Sequence, residues 1–216
     1  MTFKPILFTP ILFTILLISC EEQSDKTKTA TTDKKEKVVN LTAGDTTKQL
    51  MNEEDFWNLI NKSKNIPGDD YQRQISSLKT VLQSLNPIDI EKFDNTFTAL
   101  LAASYDYQLW GAAYVINGGC SDDCFEYFRE YLIGQGKERF YQTINDPESC
   151  VNWIKQEEEE SWEGLRYAAM EAYQQKTGKE LPGNFQPKFE LKGKAFDEET
   201  VHKQYPKLAK KFMGDY

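Results

Sequence analysis

The sequence predicts an all-α fold: a compact multi-helix domain over residues 49–216 that ends in an irregular tail. Three observations carry that reading. Apolar residues recur at three- and four-residue spacing through most of the chain after Asn52, the period of a helix with one buried face. Stop and start signals punctuate those runs at Asn52, Asn86-Pro87, Asn117-Gly118-Gly119 and Gly178. No series of alternating polar and apolar residues marks a sheet, and no repeat period emerges.

Asn52 caps a first helix over about residues 53–63, with acidic residues in its first turn and Phe56, Trp57 and Ile60 as its stripe. Pro67-Gly68-Asp69 breaks the chain before a second helix over about residues 70–85, carrying Tyr71, Ile75, Leu78, Leu82 and Leu85. Asn86 at the cap and Pro87 at the first helical position open a third, with Ile90, Phe93, Phe97, Leu100 and Leu101 inward. A fourth, over about residues 107–116, is apolar nearly all round and should be central; Gly111, Ala112 and Ala113 would admit a close neighbour. Asn117-Gly118-Gly119 ends it, since Asn and Gly tolerate the left-handed conformation.

The fifth helix begins within Ser121-Asp122-Asp123, where Asp123 and Glu126 fit a D-x-x-E form of the capping box, and stops at Gly134-Gln135-Gly136. A shorter segment holds Phe140 and Ile144, and Asp146-Pro147-Glu148 starts another through Trp153. Residues 157–160 are four glutamates, a mutually repelling and solvated run. The last long helix is expected over residues 161–177, with Trp162, Leu165, Ala169 and Tyr173 inward. Residues 184–195 read as extended, and 198–212 as short helical turns interrupted at Tyr205-Pro206.

Ahead of this domain lies an address. One lysine precedes an apolar run over residues 6–18, too short for a span, which needs roughly 20 apolar residues. It closes on Leu17-Ile18-Ser19-Cys20, which resembles a bacterial lipobox. That resemblance implies a lipoprotein signal peptide over 1–19 and a diacylglycerol- and palmitate-bearing Cys20 as the mature N-terminus. Residues 20–48 then carry Lys, Thr, Asp and Glu with almost no large apolar side chain, so they should act as a disordered tether. The expected location is the cell envelope, anchored to a membrane by lipid and facing the periplasm or the cell surface.

Charge narrows the partners. The chain holds 26 basic and 34 acidic residues, a net −8, and removal of the signal peptide takes away one positive charge, Lys4, to leave −9. That excludes a nucleic-acid footprint, which must be basic. The single histidine, His202, leaves little for His-based catalysis.

Candidate chemistry gathers at residues 109–136, where Trp110, Asn117, Ser121, Asp122, Asp123, Glu126 and Arg129 are the candidate binding residues. Asn117 and Arg129 are expected to hold the interhelical turn, Arg129 by pairing with one of its carboxylates. Asp122, Asp123 and Glu126 serve the helix dipole, or supply oxygen ligands to a divalent cation. No D-x-D-x-D-G spacing accompanies them, and nothing implies a cofactor. Cys120 and Cys124 form C-x3-C, neither a redox C-x-x-C nor a zinc set. In an oxidising envelope one disulfide is expected, with Cys150 joined to Cys124 or Cys120.

Phe56-Trp57, Phe93-Asp94, Leu109-Trp110-Gly111-Ala112-Ala113-Tyr114 and Ile116-Asn117-Gly118-Gly119-Cys120-Ser121-Asp122-Asp123 together resemble the bacterial Domain of Unknown Function 4240 family. Phe125-Glu126-Tyr127-Phe128-Arg129, Ala168-Ala169, Tyr173 and Tyr205-Pro206-Lys207-Leu208 extend the resemblance. Two departures stand out: the lipobox, and Cys124 where the family pattern has Gly. The family carries no assigned activity, so the resemblance implies a module without a chemistry. The favoured reading is a tethered helical binding module that takes a protein or small molecule near residues 117–129. The alternative is a divalent-metal-dependent hydrolase built on Asp122, Asp123 and Glu126.

Overall fold

The computed structural model describes residues 49–65, 70–155 and 162–214. The expected signal peptide, Cys20, the tether, the break at 67–69 and the glutamate run at 157–160 lie outside the described residues. The described residues all fall within one compact unit.

The fold is all-α, as the periodicity requires. In chain order the α-helices are α1 (Glu53–Lys64), α2 (Tyr71–Gln83), α3 (Pro87–Ala103), α4 (Tyr107–Asn117), α5 (Asp122–Gly134), α6 (Lys137–Asn145), α7 (Tyr167–Thr177) and α8 (Pro206–Phe212). Short 3-10 turns occupy Pro147–Asn152 and Val201–Gln204. Caps fix the starts: Asn52 Oδ1 accepts from the Glu54 and Asp55 amides, and Asn86 Oδ1 from the Asp89 amide. α2 lies between α1 and α7, and α3 packs on α7 and α5, so the core runs through the middle of this stack. Phe56 and Phe93 stack at 4.7 Å within it. Each fully buried Phe here contributes about 2–3 kcal/mol of transfer free energy.

α7 begins later than the sequence suggests. Residues 162–166 form tight turns instead, because Gly164 takes φ 113°, a conformation that interrupts a helix. The turns drive Trp162 fully into the core, 5.4 Å from the Phe128 ring and 5.5 Å from Tyr131. They also carry Arg166 over α3 and α5.

α4 is central, and its small residues are used by the C-terminal tail. The extended tail meets the start of α4 at a bridge, where Tyr107 donates to Lys192 O at 2.9 Å and Lys192 donates to Tyr105 O at 3.1 Å. Phe196 then packs its ring edge on Trp110 and Tyr114. At Gly111 a Cβ would meet Val201 Cγ2 at 3.0 Å and the Tyr205 ring at 3.1 Å. Gly111→Ala should therefore destabilise the fold by about 1–3 kcal/mol in a urea titration, since the tail cannot retreat without giving up buried Val201 and Tyr205.

Candidate functional site

The α4–α5 turn is a hairpin held by its own groups, with Asn117 Oδ1 buried without a hydrogen bond. Gly118 (φ 69°) ends α4 in the left-handed region and Gly119 follows at φ 140°; an added Cβ would meet nothing at either, so backbone conformation alone demands glycine. Trp110 Nε1 donates to Cys120 O at 2.9 Å, and its ring stacks on Phe125 at 5.0 Å. Ser121 is the N-cap of α5, its Oγ accepting from the Cys124 amide at 3.1 Å. The expected capping box on Asp123 and Glu126 is thus replaced: Asp123 is already inside the helix, and the hydroxyl one turn ahead satisfies the free amide.

The disulfide also differs from expectation. Cys120 bonds Cys124, with their Cα atoms 5.3 Å apart across the first turn of α5. Cys150 pairs with neither. It is buried and free, its Sγ 3.1 Å from Pro147 O, and burial pushes its thiol up to about 12. Asn117 Nδ2 donates to Cys124 Sγ at 3.3 Å, so Asn117 does hold the turn together. Reduction of this short loop should cost roughly 1–2 kcal/mol of urea stability. Alkylation followed by mass spectrometry should leave Cys150 unlabelled until denaturant exposes it.

Arg129 plays a different part from the one expected. It is 3% exposed and reaches Leu101 O at 2.7 Å and Phe125 O at 3.2 Å, rather than a carboxylate of the turn. Its guanidinium lies 4.8 Å from the Tyr105 ring centre and 4.7 Å from that of Phe125, fastening α5 to the end of α3. Desolvation pulls it down to about 10, the neighbouring Glu126, Tyr105 and Glu130 opposing that fall.

Asp122 and Asp123 stand exposed on the first turn of α5, with Glu126 half-buried one turn on. Among the described residues no three His, Cys, Asp or Glu side chains are grouped to hold a metal ion.

Sequence periodicity missed a second cluster one turn further along α5. Glu130 is 5% exposed, and the Arg166 amide donates to its Oε2 at 3.4 Å. Asp94 on α3 is 6% exposed; its Oδ1 accepts no hydrogen bond and faces Arg166 Nε at 3.8 Å. Arg166 Nη2 reaches Thr98 Oγ1 at 3.5 Å. Arg166 thus meets both buried carboxylates in different ways, its guanidinium facing Asp94 and its backbone amide donating to Glu130. Burial raises both carboxyls, Glu130 to about 7, with Glu126 adding to the rise and the Arg166 amide opposing it. Tyr127 and Tyr167 border the cluster, both within electrostatic reach of Glu130, and Tyr167 donates to Glu163 Oε1 at 2.9 Å.

Phe128-Arg129-Glu130-Tyr131-Leu132-Ile133-Gly134 is buried throughout, so the charges inside that run have no solvent face to occupy. Asp94 likewise follows Phe93 and precedes Phe97 on the inner side of α3.

No curated protein matches the chain, and no solved structure does. Residues 51–175, from the start of α1 nearly to the end of α7, match the family described as "Protein of unknown function (DUF4240)". That is more than half of the 216 residues, and the chain belongs to this family.

Proposed function

We propose that this protein is a lipid-tethered module of the bacterial cell envelope that binds a protein or small ligand on the acidic face of α5. Anchoring rests on Leu17-Ile18-Ser19-Cys20, with Cys20 acylated and residues 21–48 serving as a spacer to the domain. One observation carries the binding reading. Trp110, Asn117, Ser121 and Arg129 are spent on backbone and sulfur of the hairpin and of the end of α3, while Asp122 and Asp123 stand exposed and Glu126 half-buried on a disulfide-pinned turn. A rigid platform whose outward groups are left uncommitted loses little entropy on binding.

The test has two arms. Labelled palmitate should enter the wild-type chain and not Cys20→Ser, which would also leave the membrane fraction. The chain from residue 21 onward, immobilised, should retain an envelope component in one-to-one amount. Asp123→Lys/Glu126→Lys should lose that component while keeping its helical spectrum. Equal retention by both forms would remove α5 from the binding face.

A further inference from the structure

The Cys120–Cys124 bond lies where a cross-link adds little to the fold. It joins residues only four apart, and short loops constrain the unfolded chain least. Both cysteines are also held by bonds that do not involve sulfur. Trp110 Nε1 donates to Cys120 O at 2.9 Å, and the Gly119 amide to Tyr114 O at 2.9 Å. The Cys124 amide donates to Ser121 Oγ at 3.1 Å and the Phe125 amide to Ser121 O at 3.0 Å, which closes the first turn of α5 without the bridge. Two thiols on this backbone stay opposite one another, their Cα atoms 5.3 Å apart.

The two sulfurs are not equivalent. Cys124 is 0% exposed, whereas Cys120 is half-buried beside an open flank. A Cβ added at Gly118 or Gly119 meets nothing within 4 Å, and Ser121, Asp122 and Asp123 are exposed. An incoming thiolate therefore reaches Cys120 and not Cys124. Cys124 is in turn placed to leave. It lies in the first turn of α5, where the helix dipole favours a thiolate, and Asn117 Nδ2 donates to its Sγ at 3.3 Å. The carboxylates of Asp122 and Asp123 oppose that field from solvent, where they are screened. Asn117 Oδ1 is buried without a hydrogen bond in the disulfide form, which has no S–H to offer. Reduction creates a Cys124 S–H beside this same amide, the donor that its oxygen lacks.

We propose that Cys120–Cys124 is a thiol–disulfide exchange site whose reductant is a dithiol. In the first step a thiolate of the dithiol attacks Cys120 Sγ and forms a mixed disulfide. The Cys120–Cys124 bond breaks, and its electron pair stays on Cys124 Sγ, which takes a proton from water. In the second step the other thiolate of the reductant attacks its own sulfur in the mixed disulfide. Cys120 leaves as a thiolate and is protonated in turn. Two electrons have then passed to the protein, and the reductant departs with an internal disulfide. A monothiol does this poorly, because Cys124 attacks the mixed disulfide and expels it before a second monothiol arrives. An excess of oxidised dithiol runs the exchange backwards. None of this depends on what α5 binds.

The experiment uses the chain from residue 21 onward, which keeps every described residue, with dithiothreitol as the dithiol. The folded chain is incubated without denaturant and quenched with N-ethylmaleimide. Mass spectrometry locates the labelled cysteines while a helical spectrum is recorded in parallel. Expected are label on Cys120 and Cys124 with Cys150 unlabelled, an unchanged helical spectrum, and return of the bond on adding oxidised dithiothreitol. Glutathione at equal thiol concentration should reduce the bond roughly tenfold less. Asn117→Ala should slow reduction roughly fivefold and move the equilibrium toward the disulfide. Oxidised glutathione should modify Cys120 in Cys124→Ser roughly tenfold faster than Cys124 in Cys120→Ser. Reduction that needs denaturant or abolishes the helical spectrum would overturn the proposal. So would equal reduction by glutathione, equal reactivity of the two sulfurs, or a folded Asn117→Ala reduced as readily as wild type.

Discussion

Glu130→Gln should make the domain more stable at pH 8, by up to about 3 kcal/mol, and should change little at pH 5. Glu130 holds its proton to about 7 in the folded chain, against 4.5 for an ordinary glutamate. Between those two values the folded state binds more proton than the unfolded one, so stability falls as pH rises through the interval. Above pH 7 the full cost of keeping a buried, poorly compensated carboxylate is present. Below 4.5 it is gone. Glutamine keeps an oxygen for the Arg166 amide and cannot ionise, so the wild-type loss of stability between pH 5 and pH 8 should shrink in the variant. Urea titrations at several pH values read this directly.

Arg129→Ala should do the reverse, costing about 3 kcal/mol at every pH from 5 to 8. The change strands Leu101 O at the end of α3 and empties the space between the Tyr105 and Phe125 rings. Arg129→Lys should recover part of the loss, because an ammonium keeps the charge but cannot reach both Leu101 O and Phe125 O in one plane. Urea midpoints of the three forms decide it. A near-neutral Arg129→Ala would mean the guanidinium is a ligand group rather than a fastener. The two predictions separate neighbours in sequence: Arg129 builds the scaffold, and Glu130 strains it.

Much of the scaffold was legible because caps and apolar period are local. Asn52, Asn86-Pro87 and Gly118 end or begin helices for reasons contained within four residues. The start of α7 was not legible, since the positive φ of Gly164 goes with the packing of Trp162 against Phe128 and Tyr131, contacts remote in sequence. The disulfide was hidden for a related reason. C-x3-C bonds only when the first cysteine precedes the helix and the second lies in its first turn, an offset that depends on where the helix starts. Ser121, rather than Asp123, sets that start.

The hairpin was visible in sequence as a concentration of special residues, and the structure assigns most of them to holding the turn. The two buried acids were not visible, because helical period places Glu130 and Asp94 by angle and not by what surrounds the helix. α5 is enclosed by α3, α4, α6, the start of α2 and the turns around Trp162, so its charges are buried by tertiary packing.

The most direct test is the titration of the Glu130 carboxyl carbon by NMR in the folded domain. The account predicts a midpoint near 7, raised by burial. A midpoint near 4.5 would contradict it.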